Sequence, residues 1–257
     1  MPVSSDPLAG ADTTDRPEGD ALPINELFAS LQGEGKLAGV PSVFVRTSGC
    51  NLRCWFCDSY HTSWEPTHAW LSLDEILAEV DARRPDHVVV TGGEPLVHDE
   101  TATLLRRLAD DYHVTVETNG TIDVDAPLDL VSLSPKLASS TPTADRDPAG
   151  EGGWADRHDD RRLDVDVLAR LTERYPFQFK FVVTDADDMP EIESLIERVR
   201  NASGARIRDS DVLLMPEGQT RDDLDSTRRV VADLATEYGY RYTPRLHVDL
   251  GNDAPET

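Results

Sequence analysis

The sequence predicts an α/β fold, a single domain on a mostly parallel sheet, and three observations carry that prediction. From residue 72 onward, short β-branched runs alternate with amphipathic stretches of helical period. At 257 residues the chain is long enough for one sizeable core. Polar, glycine-bearing motifs recur at the carboxyl ends of the predicted strands, where parallel α/β sheets collect their ligands.

Residues 1–21 read as a disordered acidic leader, polar and without the apolar core of a signal peptide. A strand is expected over Ile24–Leu31, running into Gln32-Gly33-Glu34-Gly35, and a second over Ser42–Arg46, leading to Gly49. Ser72-Leu73-Asp74-Glu75 is a capping box that opens a helix ending near Arg84, before Pro85. Then come a strand at His87–Val90, a helix at Glu100–Asp110, and strands at Val114–Glu117 and Leu130–Leu133. A helix at Asp164–Arg174, a strand at Phe177–Val183 and a helix at Pro190–Arg200 follow. Asp211–Met215 closes the strand series and Arg221–Tyr238 is a long helix. The stretch 138–162, rich in Asp, Arg, Gly and Pro, has no periodicity and reads as a surface insertion. The core domain is therefore set at 22–250, with an acidic tail at 251–257.

Charge narrows the function. Asp and Glu number 49 against 25 Lys and Arg, a net −24, which argues against direct nucleic-acid binding. Only Lys36, Lys136 and Lys180 are lysine; the other 22 basic residues are arginine. A carboxylate-rich surface cleared of lysine suits a high-salt cytoplasm, where screening shortens to about 3 Å at 1 M salt. Any lysine retained there is a candidate for a position arginine cannot fill. No apolar run approaches the roughly 18 residues of a membrane span. A soluble, cytoplasmic protein without a membrane partner is expected.

All three cysteines fall within eight residues, Cys50-Asn51-Leu52-Arg53-Cys54-Trp55-Phe56-Cys57. Packing cysteines scatter and disulfide frameworks use even numbers, so this spacing points to metal. Zinc is one reading, with His61 or His68 as the fourth ligand. A four-iron cluster is the other: electron carriers hold it with four cysteines, so three leave one iron open to a substrate or cofactor.

C-x3-C-x2-C followed by a parallel α/β pattern, with Thr91-Gly92-Gly93-Glu94-Pro95 after a strand, resembles the radical S-adenosylmethionine (SAM) superfamily. That resemblance implies a partial (β/α) barrel and one [4Fe-4S] cluster on Cys50, Cys54 and Cys57. It implies SAM at the open iron, cleaved to a deoxyadenosyl radical that abstracts a substrate hydrogen. Trp55 and Phe56 would shield the cluster. Gly93 lets the backbone approach the methionine moiety, and Glu94 would help to hold its ammonium. Glu117, Asn119, Ser134 and Lys136, at later strand ends, would reach its carboxylate and ribose.

Further motifs resemble one family. They are Leu31-Gln32-Gly33-Glu34-Gly35, Phe44-Val45-Arg46, Gly49–Cys54, Cys57-Asp58-Ser59, Glu117–Thr121, Ser134-Pro135-Lys136, Lys180–Val183, Met215–Gly218 and Arg245-Leu246-His247. In this order they are similar to 7-carboxy-7-deazaguanine synthases. The resemblance implies 6-carboxy-5,6,7,8-tetrahydropterin as substrate, contracted to 7-carboxy-7-deazaguanine with loss of ammonia. It also implies SAM contacts from Phe56, Cys57, Asp58, Gly93, Ser134, Pro135 and Lys136. Substrate contacts fall to Leu31, Gln32, Gly33, Glu34, Arg46 and Thr91, with Arg46 on the 6-carboxylate. A magnesium ion is expected at Ser59, where relatives commonly carry threonine. A homodimer and an external donor, ferredoxin or flavodoxin, complete the expectation. Another radical SAM enzyme, such as a glycyl-radical activase, shares the cysteine loop but does not need the pterin-reading pieces. In some relatives the terminal carboxylate reaches the substrate; here the chain continues past His247 to Thr257, so no such contact is expected.

Overall fold

The computed structural model describes residues 16–150 and 153–252. Residues 1–15 of the expected leader and 253–257 of the expected tail lie outside the described residues. The leader's boundary needs correction, because β1 begins at Ala21 and runs to Leu31 (Ala21–Leu31). Just before it, Arg16 pairs with Glu100 and lies 5.1 Å over the Trp70 ring.

β2 (Pro41–Thr47), β4 (His87–Gly92), β5 (His113–Thr118), β6 (Leu130–Leu133), β7 (Phe177–Val183) and β8 (Val212–Pro216) stand within one to three residues of expectation. So do α2 (Leu73–Arg83), α3 (Glu100–Leu108), α5 (Val165–Arg174), α6 (Met189–Ala202) and α7 (Arg221–Tyr238). The capping box forms: Glu75 N donates to Ser72 Oγ, and Ser72 N to the Glu75 carboxylate. Four short elements were not anticipated: α1 (Tyr60–Ser63), β3 (Ala69–Ser72), β9 (Arg241–Tyr242) and α8 (Leu246–Gly251). A fifth, α4 (Ala155–Arg161), lies inside the expected insertion. Each is too short to carry a period.

The strands form one sheet of order β3-β1-β2-β4-β5-β6-β7-β8-β9. From β2 through β9 every neighbouring pair is parallel, while β1 is antiparallel to both β2 and β3. Among the described residues β3 and β9 are the two edges, so the barrel is partial and not closed.

Alternation along the strands divides the sheet into two unlike faces. Val88, Val90, Val114, Val116, Val131, Phe179 and Phe181 meet Ile76, Leu104, Leu105, Leu168, Ile192 and Ile196 of the helices in the main core. The other face carries a smaller apolar floor that includes Phe28, Phe44 and Val89. Register then places polar residues in rows above it. Arg46 pairs with Thr91, Glu117 with Ser132, and Ser132 with Gln178, with Lys180 two residues further along β7. A row of buried polar groups at the carboxyl ends is what a ligand cavity requires and a packed core does not.

At the amino end, His87 is buried between two hydroxyls, Nδ1 2.7 Å from Ser42 Oγ and Nε2 2.8 Å from Thr115 Oγ1. Burial, with His113 beside it, lowers its pKa from 6.5 to about 4. The unfolded chain takes up that proton first, so stability falls as pH drops from about 6.5 through 4. His87→Gln is expected to flatten this decline by up to about 3 kcal/mol in denaturant titrations at stepped pH. Parallel pH profiles for variant and wild type would exclude His87 as its source.

Candidate active site

The cysteine loop leaves the carboxyl end of β2 and is tied down on both sides. Gly93 N donates to Thr47 O (3.2 Å), Glu94 N to Gly49 O (2.9 Å), and Gly49 N to Thr62 O of α1 (2.8 Å). Trp64 Nε1 reaches Cys54 O at 2.9 Å. Cys50, Cys54 and Cys57, all free thiols, then line one cavity of about 1220 Å³ counted out through its mouth. Burial raises all three thiols, Cys54 to about 12. They therefore rest protonated until a metal displaces the protons.

Sulfur geometry separates the two metal readings. A tetrahedral zinc with Zn–S of about 2.3 Å would draw its sulfurs to about 3.8 Å of one another. Among the described residues, the trio whose ligand atoms meet within 4.8 Å is Glu34, Asp58 and His247; the three thiols are not such a trio. Neither His61 nor His68 lines the cavity, and His68 stacks edge-on against Trp70 at 5.4 Å. The wider spacing of the thiols, with both expected histidines outside the cavity, fits an iron–sulfur cluster held by three cysteines. Leu52 N and Ser63 Oγ already point at Cys50 and Cys57 sulfur, at 3.4 and 3.2 Å, the kind of donor that tunes such clusters.

Beside the loop, Gly92 adopts φ +141°, and a Cβ there would stand 2.1 Å from Thr47 O. Gly93 lines the cavity but Glu94 does not, contrary to expectation. Its carboxylate is fully buried and accepts from Thr118 Oγ1 (2.9 Å), Asn119 N (2.7 Å) and Leu96 N (3.1 Å). Burial raises its pKa to about 7, against those hydrogen bonds and Lys136. With its oxygens so engaged, Glu94 shapes the turn that presents Gly93. Pro135 likewise stands outside the lining, between Ser134 and Lys136, which are within it and joined by Lys136 Nζ to Ser134 Oγ at 2.8 Å. Asn119 Nδ2 donates to Asn51 Oδ1 (2.8 Å), a tie to the cysteine loop not foreseen.

The remaining wall is a compact set of charges. Lys180 Nζ lies 2.5 Å from Glu34 Oε2 and 3.5 Å from Glu117 Oε1. Arg245 holds Glu34 Oε1 at 3.3 Å, pairs with Asp58, and donates to Gly218 O at 2.6 Å. His247 Nε2 is 3.7 Å from Glu34 Oε1. Burial would raise Glu34, but Lys180, Arg245 and His247 outweigh it and hold the carboxyl far below its usual range. Glu117, expected near SAM, sits with the substrate set: it accepts from Thr91 Oγ1 (3.0 Å) and Gln32 Nε2 (3.3 Å). The Glu34–Asp58–His247 trio is already neutralised by Lys180 and Arg245, so it is no vacant cation site. Lys180, Arg245, His247, Phe28 and Phe44 had no assigned role in the sequence reading. The scarcity of lysine and the Lys180–Val183 motif both mark Lys180 without giving it a role.

Leu31, Gln32, Gly33, Phe56, Asp58, Ser59 and Thr91 also line the cavity. Arg46 lies 5.6 Å over the Phe28 ring, 2.9 Å from Glu26, and donates to Ser59 Oγ at 2.6 Å. Ser59 in turn donates to Asp58 Oδ1 at 3.2 Å. The 138–162 stretch is not wholly surface: Ser140 and His158 are fully buried against the cysteine loop. Among the described residues no helix is long and apolar enough to cross a membrane.

Comparison with known proteins agrees with this geometry. The Radical SAM superfamily matches residues 44–141. A 7-carboxy-7-deazaguanine synthase from Halobacterium salinarum is 66% identical, covering 100% of both chains. One from Rhodopirellula baltica is 42% identical over 89% of this chain and 86% of its own. A crystal structure of QueE from Escherichia coli matches with a TM-score of 0.63 at 25% identity, covering 95% of this chain and 100% of that one.

Proposed function

The chain belongs to the 7-carboxy-7-deazaguanine synthase family of the radical SAM superfamily, and from that premise we propose that it contracts 6-carboxy-5,6,7,8-tetrahydropterin to 7-carboxy-7-deazaguanine. The observation that carries the reading is a single cavity lined both by three open thiols and by the Glu34–Lys180–Arg245 charge set. A generic radical initiator needs the first and has no use for the second. When bound, the [4Fe-4S] cluster and SAM supply one-electron cleavage and the hydrogen-abstracting radical.

The protein's share is placement and charge. Cys50, Cys54 and Cys57 hold the cluster; Gly93, Ser134, Lys136, Phe56 and Asn119 surround SAM. The pterin ring lies over the Phe28–Phe44 floor, whose rings stack at 5.1 Å. Glu34, kept ionised by Lys180 and Arg245, accepts from the guanidine-like edge of the pterin, with Gln32 and Glu117 beside it. Arg46 exchanges its bond to Ser59 for the substrate 6-carboxylate. Substrate and product differ by ammonia alone, so no net oxidant is consumed and the hydrogen taken from C6 is returned.

Magnesium belongs to this proposal at Ser59, whose hydroxyl oxygen suits a hard ion once Arg46 turns to the substrate. Ser59→Ala is expected to keep the cluster and SAM cleavage but to lose the stimulation of product formation by magnesium. An unchanged magnesium titration would remove Ser59 from the reaction. A homodimer, a cytoplasmic setting, a salt-adapted surface and a ferredoxin or flavodoxin donor complete the proposal, with the product destined for archaeosine or queuosine in tRNA. The deciding experiment is an anaerobic assay of reconstituted enzyme with the carboxytetrahydropterin, SAM, magnesium and a reductant. Ammonia and the deazaguanine in equal amounts support the reading; SAM cleavage without either product favours an activase.

A further inference from the structure

His158 is the most enclosed histidine of the chain, with no exposed surface, although it stands on α4 in a stretch that otherwise carries charged, exposed residues. Both of its ring nitrogens are used. Nδ1 accepts from Arg53 N at 3.1 Å, and Nε2 lies 2.9 Å from Ser140 Oγ. Because a backbone N–H can only donate, Nδ1 is the acceptor. Nε2 therefore carries the proton and gives it to Ser140, whose hydroxyl donates on to Leu137 O at 2.6 Å.

Ser140 closes the other half of the contact. Its carbonyl accepts from Trp55 N at 3.2 Å, and Ser139 O accepts from Trp55 Nε1 at 2.7 Å. The two residues flanking Cys54, Arg53 and Trp55, thus both give their backbone N–H to this one stretch, at points hydrogen-bonded to each other. Arg53 is held further: its guanidinium stacks 4.3 Å from the Trp154 ring and bonds Cys50 O and Leu52 O, each at 2.8 Å.

We propose that His158 is a positioning residue for the iron–sulfur cluster, acting through the Arg53 amide to fix the loop around Cys54. The physical need is specific. Backbone N–H groups near cluster sulfurs set its potential, and a loop of eight residues between helix and strand ends has several to aim. By taking the Arg53 N–H away from the cavity, His158 determines which amides face sulfur. The inference rests on cluster ligation by the three cysteines and is independent of the pterin.

Three variants test it in anaerobically reconstituted enzyme, read by iron release to a ferrous chelator and by the electron paramagnetic resonance and midpoint potential of the reduced cluster. His158→Ala is expected to release iron at least about tenfold faster, the scale of lost outer contacts to metal ligands. Its potential should shift upward, as the freed amide turns to sulfur. His158→Asn places an amide oxygen where Nδ1 stood and is expected to restore both readouts; His158→Gln reaches Ser140 but not Arg53 and is expected to behave like alanine. Equal behaviour of the Asn and Gln variants, or wild-type iron retention and potential in H158A, would overturn the proposal. Should H158A fail to fold, the Asn and Gln pair decides alone. Wild-type protein that takes up no iron would remove the premise, whereas wild type with a normal cluster but no pterin turnover would leave the proposal standing.

Discussion

Lys180→Met is expected to lower the unfolding free energy by about 3–5 kcal/mol, the scale for removing one partner of a buried charge set, and to abolish turnover. Lys180 is 4% exposed and lies between Glu34 and Glu117. Without it Glu117 keeps no cation among these contacts, and Glu34 keeps Arg245 and His247. Arginine offers no substitute, because its planar fork needs more room than an ammonium that is 5% exposed at the side chain allows. That reason accounts for one lysine surviving in a chain otherwise rich in arginine.

The double variant Glu34→Gln, Lys180→Met separates fold from function. It removes charge from both sides, so unfolding measurements should recover a large part of the loss while turnover stays absent. A single-variant loss below about 1 kcal/mol, the range of exposed pairs, would mean that the cavity admits enough water to screen these charges.

The strands and long helices were legible because each is long enough to display its own period, and because Ser72 and Asp164 cap in fact as their types suggest: Asp164 Oδ1 accepts from Val167 N at 2.9 Å. The cysteine loop and the Thr91–Pro95 turn were legible because their chemistry is local. The charge set was not, since Glu34, Asp58, Lys180 and Arg245 meet only after β1, β7 and the segment before α8 are brought together. A weaker signal was present in alternation itself. Thr115 and Glu117 in β5, and Gln178 and Lys180 in β7, put polar side chains on one face of strands whose other face is apolar. Such a strand in a parallel sheet marks the face that holds ligand. Glu94 shows the opposite case: a carboxylate within a cofactor motif suggests a cofactor contact, but hydrogen bonds from Thr118, Asn119 and Leu96 claim it. In the 138–162 stretch, acidic composition conceals the burial of Ser140 and His158, because burial of a lone histidine leaves no periodic trace.

Gly93→Ala is expected to destabilise the fold by about 3 kcal/mol, the upper range for overpacking, and to prevent both cluster uptake and SAM binding. A Cβ at Gly93 would lie 2.3 Å from Gly49 O and 2.8 Å from Thr62 O. Both obstacles are backbone, so relief requires the turn after β4 to part from the cysteine loop. Parting them breaks the bonds from Glu94 N to Gly49 O and from Gly93 N to Thr47 O. Gly33→Ala meets a different obstacle, His247 Nδ1 at 2.2 Å, the end of a side chain that can turn away. Its unfolding free energy should stay within about 1 kcal/mol of wild type, as for an absorbed overpacking, with iron content unchanged. Turning His247 away, however, takes it from Glu34, so KM for the pterin should rise while SAM affinity holds. The two variants therefore fail in opposite order, one at the cofactor and one at the substrate. Iron per chain, SAM affinity and pterin KM measured side by side distinguish them, and a Gly93→Ala protein with wild-type iron and SAM affinity would refute the close backbone approach on which the cofactor half of the site depends.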